Sequence, residues 1–268
     1  MEPSVSPAVT AEPTPIPTPV PAPTAGAFPE ELVAGLRTEA DLPYTEPVPC
    51  GASECAVPLD VLAPEDGDAL PTIVLLPGGP GAFVDRRYLE TLAAGLAQRG
   101  AVVFLATYRS EATGDTIDAG LSDVRCAIRF ARSRTGEFGG DPDRLVLAGH
   151  SFGSSLALET AANAEAEASD CLSDEPGIPD AAVGLSGFAF AVDDPVDADL
   201  RFLLMSGSED LATATAEAGE AGADRLREAG FLAEYVELEG IDHFEIVDPG
   251  IAPEVVDRIF AAAESIAP

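Results

Sequence analysis

Arg144-Leu145-Val146-Leu147-Ala148 runs without interruption into Gly149-His150-Ser151-Phe152-Gly153 and then into Ser154-Ser155-Leu156-Ala157-Leu158. A short apolar run, a G-x-S-x-G pentapeptide and a stretch of small and apolar residues read as a strand, a sharp turn and a helix. The spacing has a steric reason. A turn this tight crowds the end of the strand against the first turn of the helix, so residues 149 and 153 must have almost no side chain. Ser151 is thereby lifted to the carboxyl edge of a sheet, at a helix N-terminus whose unpaired N–H groups and dipole favour a developing negative charge. A plain glycine-rich β-to-α turn would have the same glycines, so the chemistry depends on what the rest of the chain brings to Ser151.

Outward from this turn, β-branched runs alternate with longer helical patterns, the signature of βαβ units on a mostly parallel sheet. Strands are expected near 55–62, 71–76, 101–107, 144–149, 181–186, 200–206 and 232–238, with helices between them. In the helix expected at 116–135, Ile117, Leu121, Val124, Ile128 and Ala131 recur at three-to-four spacing. Val255, Ile259, Ala263 and Ile266 do the same near the C-terminus. Such stripes are core faces. The connection between Gly187 and Asp199 is too short for a multi-helix lid, so little or no cap is expected over the site. There is no internal repeat.

Asp123-Val124-Arg125-Cys126-Ala127-Ile128-Arg129-Phe130, followed by Phe138-Gly139-Gly140-Asp141-Pro142-Asp143-Arg144 and the Gly-His-Ser-Phe-Gly turn, resembles the α/β-hydrolase superfamily. The likeness is to its carboxylesterase branch of small secreted esterases and arylformamidase-like enzymes, and it spans roughly residues 70–265. It implies a three-layer α/β fold, a mostly parallel central sheet with helices on both faces, and acyl transfer by a serine nucleophile. Such a serine needs a base to take its proton and an acid to orient the base. His243, in Gly240-Ile241-Asp242-His243-Phe244 after the last strand, stands where such enzymes carry their histidine, and His150 is the only other histidine. His150 is expected to pack or hydrogen-bond beside the turn. Asp210, in Ser206-Gly207-Ser208-Glu209-Asp210, resembles the family's acid loop and completes the chain order Ser151, Asp210, His243. Glu209, Asp193 and Asp194 are the alternatives, and Asp242 reads as a surface residue. Pro77-Gly78-Gly79-Pro80-Gly81 is placed like the family's oxyanion loop, with Pro77 where a histidine is common and Pro80 unable to donate. The oxyanion donors are expected to be the amides of Gly79 and Phe152, with Gly78 as a third. Phe83, Phe188 and Phe190 are candidate pocket residues and Tyr108 a candidate rim residue, although core packing explains each as well. No metal or organic cofactor is implied. An amidase or arylformamidase would use the same triad, and a catalytically silent hydrolase fold could serve as an envelope binding module.

Composition narrows the partners. The 268 residues carry 47 acidic and 14 basic side chains, all of the latter arginine, for a formal charge of −33. A surface this negative repels phosphate backbones and anionic headgroups, which argues against nucleic-acid and membrane-surface roles and for a small-molecule ester substrate. Residues 1–29 hold 9 of the 24 prolines and only Glu2 and Glu12 as ionisable side chains. They read as a disordered polyproline spacer ahead of a catalytic domain at 30–268, able to tether that domain to a cell envelope. The acidity therefore belongs to the domain, which keeps 45 of the acidic residues and all the basic ones. No stretch has the length and hydropathy of an integral membrane segment. The chain reads as a mature form whose secretion signal has been removed. An even number of cysteines fits an oxidising compartment, with Cys50 expected to pair with Cys55 and Cys126 with Cys171.

Overall fold

The computed structural model describes residues 27–50, 53–79, 85–110, 117–163, 168–187, 192–193, 195–196, 199–210 and 216–266. Ten strands are found among them: β1 (Leu36–Pro43), β2 (Val48–Cys50), β3 (Ser53–Cys55), β4 (Pro58–Pro64), β5 (Leu70–Leu76), β6 (Val102–Ala106), β7 (Gly140–His150), β8 (Ala181–Leu185), β9 (Arg201–Gly207) and β10 (Leu232–Leu238). The helices are α1 (Glu90–Arg99), α2 (Ile117–Arg134), α3 (Phe152–Ala162), α4 (Ala216–Glu228) and α5 (Pro253–Glu264). Eight strands form one sheet in the order β1-β4-β6-β5-β7-β8-β9-β10. β1 with β4 and β4 with β6 are antiparallel, and every later pairing is parallel.

The apolar runs explain the layering. In β5, Ile73 and Leu75 face one core while Val74 and Leu76 face another, and Val146 and Leu147 divide β7 in the same way. Strands apolar on both faces must be covered on both. α1 and α5 supply Leu92, Leu96, Val255 and Ile259 to the first core, and α2 and α3 supply Val124, Ile128 and Leu156 to the second. A third cluster joins Leu158 of α3 to Phe202, Leu204 and Leu226. Among the described residues no helix lies between β8 and β9, and no helix is long and apolar enough to cross a membrane.

Two features depart from the sequence expectation. β1 was not anticipated, because Leu-Arg-Thr-Glu-Ala-Asp-Leu-Pro is too polar to show strand alternation; it is a half-exposed edge strand with a bulge between Glu39 and Leu42, where Asp41 takes φ +56°. The folded body also reaches back to Phe28, inside the proline-rich stretch: its ring is buried and lies 3.6 Å from the Arg87 guanidinium. Arg87 and Arg86 both donate to the fully buried carboxylate of Asp60, at 2.8 and 2.7 Å. This ion cluster fastens the turn at 86–89 to β4.

Cys50 is bonded to Cys55 across the β2–β3 hairpin, and Cys126 of α2 to Cys171. These bridges close loops of very different length, with sequence separations of 5 and 45. Replacing Cys126 and Cys171 together by alanine should lower unfolding free energy by about 4 kcal/mol, and replacing Cys50 and Cys55 by about 2 kcal/mol, on the loop-entropy relation. Urea unfolding of the two variants checks the order.

Candidate active site

Ser151 caps α3 with φ 54° and ψ −120°, a region that non-glycine residues occupy only under constraint. Two hydrogen bonds and two close approaches at glycines hold it there. Its N–H donates to Leu185 O at 2.8 Å, and its carbonyl accepts from Ser155 N–H at 3.2 Å. A methyl on Gly149 would overlap the Gly153 carbonyl, and one on Gly153 would overlap the Pro77 carbonyl. The pentapeptide thus lets β7, α3 and the 77–79 loop meet at one point.

The loops after β9 and β10 are stapled together by their backbones. Ser208 N–H donates to Leu238 O, Glu209 N–H to Ile241 O, and Gly240 N–H to Ser208 Oγ, at 2.9, 3.0 and 2.8 Å. A side chain at Gly207 would collide with the Ile241 carbonyl. This staple brings Asp210 to His243: Asp210 Oδ2 lies 2.8 Å from His243 Nδ1, and His243 Nε2 lies 3.1 Å from Ser151 Oγ. The Asp210 side chain is buried while that of His243 remains partly open to solvent. Glu209 is exposed, and the backbone of Asp193 is tied to Asn163 instead. Asp194 lies outside the described residues. Asp242 is exposed, and its Oδ1 accepts from the amides of Glu245 and Phe244, which hold its carboxyl below the usual range and shape the turn that presents His243.

Comparison with known proteins agrees with this architecture. The thermophilic esterase Est2 of the planctomycete Thermogutta terrifontis, in its propionate-bound form, superposes with a TM-score of 0.71 at 20% identity, over 88% of this chain and 97% of that one. The chain has the α/β-hydrolase fold. A truncated carbohydrate esterase from gut microbiota superposes with a TM-score of 0.67 at 17% identity, over 85% of this chain and 97% of that one. The family model BD-FAE matches residues 59–178. Isoprenylcysteine alpha-carbonyl methylesterase ICME of Arabidopsis thaliana is 33% identical over 100 residues, 37% of this chain and 23% of that protein. Gut esterase 1 of Caenorhabditis elegans is 30% identical over 113 residues, 38% of this chain and 20% of that protein. The chain thus spans about a quarter or less of the length of these curated relatives.

Two expectations about the site need correction. Gly78 is not available as an oxyanion donor, because its N–H is already given to the Tyr88 hydroxyl at 2.5 Å. The loop runs so close to the turn that a Cβ at 78 would sit 2.6 Å from Ser151 Cβ. Tyr108 is not a rim residue: it is fully buried, and its hydroxyl donates to Pro77 O at 2.7 Å. Phe83, Phe188 and Phe190 lie outside the described residues. Gly79, at φ +95°, follows directly on the held peptide, and Phe152 opens α3 beside Ser151.

Sequence reading missed Tyr88 and Phe244. Phe244 is 66% exposed, with its ring perpendicular to that of His243 at 5.1 Å, so it forms an apolar wall next to the histidine. Tyr88 has no motif of its own; it matters because of where the 86–89 turn delivers its hydroxyl, 2.7 Å from His150 Nδ1. His150 itself is buried, with Nε2 2.8 Å from the carbonyl of His243. Burial, and secondarily the neighbouring His243, lowers its pKa to about 4.

An unfolded histidine titrates near 6.5, so between that pH and about 4 the unfolded chain binds a proton that the folded chain refuses. Stability is therefore lost as pH falls through this window. Between pH 7.5 and 5, His150→Gln should remove about 2 kcal/mol of the pH-dependent loss of unfolding free energy. Urea titrations of both proteins at the two pH values measure it.

Proposed function

We propose that this protein, with its α/β-hydrolase fold, is a serine esterase that cleaves neutral carboxylic esters through an acyl-enzyme. One observation carries the reading: a single imidazole, that of His243, lies within hydrogen-bond reach of both the Ser151 hydroxyl and the buried Asp210 carboxylate. In this mechanism Ser151 Oγ attacks the ester carbonyl carbon as its proton passes to His243 Nε2. The Asp210 carboxylate holds the ring in the tautomer with Nδ1 protonated and stabilises the cation that forms. The oxyanion accepts hydrogen bonds from the Gly79 and Phe152 amides, aided by the N-terminal end of α3. The bond to the alcohol oxygen breaks as His243 returns the proton to it. Water then adds to the acyl group with its proton going to His243, and collapse releases the carboxylic acid and restores the serine hydroxyl.

The names of the relatives favour ester substrates, and Est2 structures holding propionate and butyrate favour short acyl chains. Two disulfides and the lack of a membrane-spanning helix among the described residues are compatible with secretion, and in this reading the segment 1–29 tethers the enzyme to an envelope.

Ser151→Ala should lose both fluorophosphonate labelling and hydrolysis of p-nitrophenyl propionate, and Asp210→Asn should lower kcat by about 10⁴-fold, the loss typical of a misoriented base. Equal labelling of wild type and Ser151→Ala would end the reading. Faster turnover of an N-formyl arylamine than of any ester would shift it to an arylformamidase.

The net charge adds a substrate rule. Esters bearing a carboxylate should show a lower kcat/KM than neutral isosteres at low salt, and the gap should narrow as salt screens the acidic surface. Matched ester pairs at two ionic strengths test it.

A further inference from the structure

The Pro77–Gly78 peptide is gripped at both of its polar ends by phenols. Tyr108 donates its O–H to the Pro77 carbonyl at 2.7 Å, and the Gly78 N–H donates to the Tyr88 oxygen at 2.5 Å. From Tyr88 the chain of contacts continues 2.7 Å to His150 Nδ1 and, across the ring, 2.8 Å from Nε2 to the carbonyl of His243. The two ends of this chain set its direction. A carbonyl only accepts, so His150 Nε2 carries the hydrogen; a neutral imidazole then leaves Nδ1 bare, and it accepts from the Tyr88 O–H. The Tyr88 oxygen keeps its lone pairs for Gly78, whose amide can only donate. Every hydrogen bond from Tyr108 to His243 therefore points the same way, an arrangement in which each bond polarises the next.

The chain links two loops with no sequence relation. One end is the peptide immediately before Gly79, and the other is the main chain of His243. It passes behind Ser151 through its own neighbour, His150, whose ring centroid is 4.8 Å from that of His243. Tyr88 is held from the far side by the turn at 86–89, which Asp60 anchors through Arg86 and Arg87. Neither Tyr88 nor His150 is within hydrogen-bond reach of the Ser151 hydroxyl, whose partner is His243.

We infer that Tyr88 and His150 are positioning residues, a hydrogen-bonded tie that holds the Gly79-bearing loop and the His243-bearing loop at a fixed separation across Ser151. This rests on the esterase reading above. The tie acts on the alignment of the oxyanion donor and the base in the transition state, where a misplacement of about 1 Å can cost about 10²-fold in rate. It does not contribute to ground-state binding, so its loss should fall on kcat.

The test uses the full chain with p-nitrophenyl propionate. Tyr88→Phe removes one oxygen and leaves the ring; kcat should fall about 10- to 100-fold, with KM within twofold of wild type. His150→Leu should show the same split. His150→Gln, whose amide offers one acceptor and one donor, should recover most of the rate. The Tyr88→Phe/His150→Leu double variant should be no slower than the slower single variant, because both changes cut one chain. Wild-type kcat in Tyr88→Phe, losses that multiply in the double variant, or equal failure of His150→Gln and His150→Leu would overturn the tie. If Tyr88→Phe does not fold, the contrast between His150→Gln and His150→Leu decides the matter. Ester turnover by wild type and its absence in Ser151→Ala separate the two claims: a wild type inert toward esters removes the esterase reading and the tie with it, whereas an active wild type with an unimpaired Tyr88→Phe removes the tie alone.

Discussion

The backbone of Ser151 is the constraint on which the rest of the site depends. At φ 54° and ψ −120° the residue stores strain that must be held by its surroundings, and each holder is a close approach of two elements. β7 meets α3 through Gly149 and Gly153, the 77–79 loop closes over the turn at Gly153 and Gly78, and β8 binds the Ser151 amide through Leu185. A residue with a side chain at any of these glycines would separate the elements and let the serine relax. The strained conformation is thus a property of the central sheet's packing rather than of five residues in isolation, which is why a pentapeptide match has meaning only between a strand and a helix.

Charge is distributed in a way that the net value conceals. Arg86, Arg109 and Arg125 are buried, three of the fourteen basic side chains. Arg86 bonds Asp60 and Asp41, while Arg109 grips Asp123 through two nitrogens and its backbone amide. Guanidinium groups suit such sites because they remain charged when desolvated and match carboxylates in a planar fork. Among the described residues the buried aspartates Asp60, Asp123 and Asp210 balance these three arginines, so interior pairing leaves the net acidity to the solvent-facing shell. The field at the open side of the site is set by that shell.

How far the sequence could be read follows from the kind of signal each feature leaves. The parallel strands from β5 to β9 were legible because each carries an apolar run set off by turn residues or helical patterns. β1 was not, since an edge strand with one wet face carries too few apolar residues to alternate visibly. That Ser151, Asp210 and His243 would meet was legible from local motif and chain order, since the chain has only two histidines. Glu209 and Asp210 are adjacent in sequence and differ in the fold only because the staple between the β9 and β10 loops turns one outward and the other inward. The roles of Tyr88 and Tyr108 were beyond reach for a related reason. A tyrosine that fills a core, a tyrosine that rims a pocket and a tyrosine that clamps a peptide look alike until the partner of the hydroxyl is known. Gly78 was misread because the motif supplies an amide without saying where it points.

The two histidines show how the same side chain is divided between opposite duties by its neighbours. His243 has a carboxylate on one nitrogen and a hydroxyl on the other, with part of its ring open to solvent, the set of partners that the proposed proton transfer requires. His150 has a phenol on one nitrogen and a carbonyl on the other, in a buried setting that keeps it neutral. A ring that gained a proton at Nδ1 would face the Tyr88 hydroxyl with a donor and force that hydroxyl to turn its own hydrogen toward the Gly78 amide, where two donors would meet. Burial of His150 therefore does more than fill space behind Ser151. It fixes the direction of every hydrogen bond on either side of the ring, and so makes the resting arrangement of both loops a single, unambiguous one.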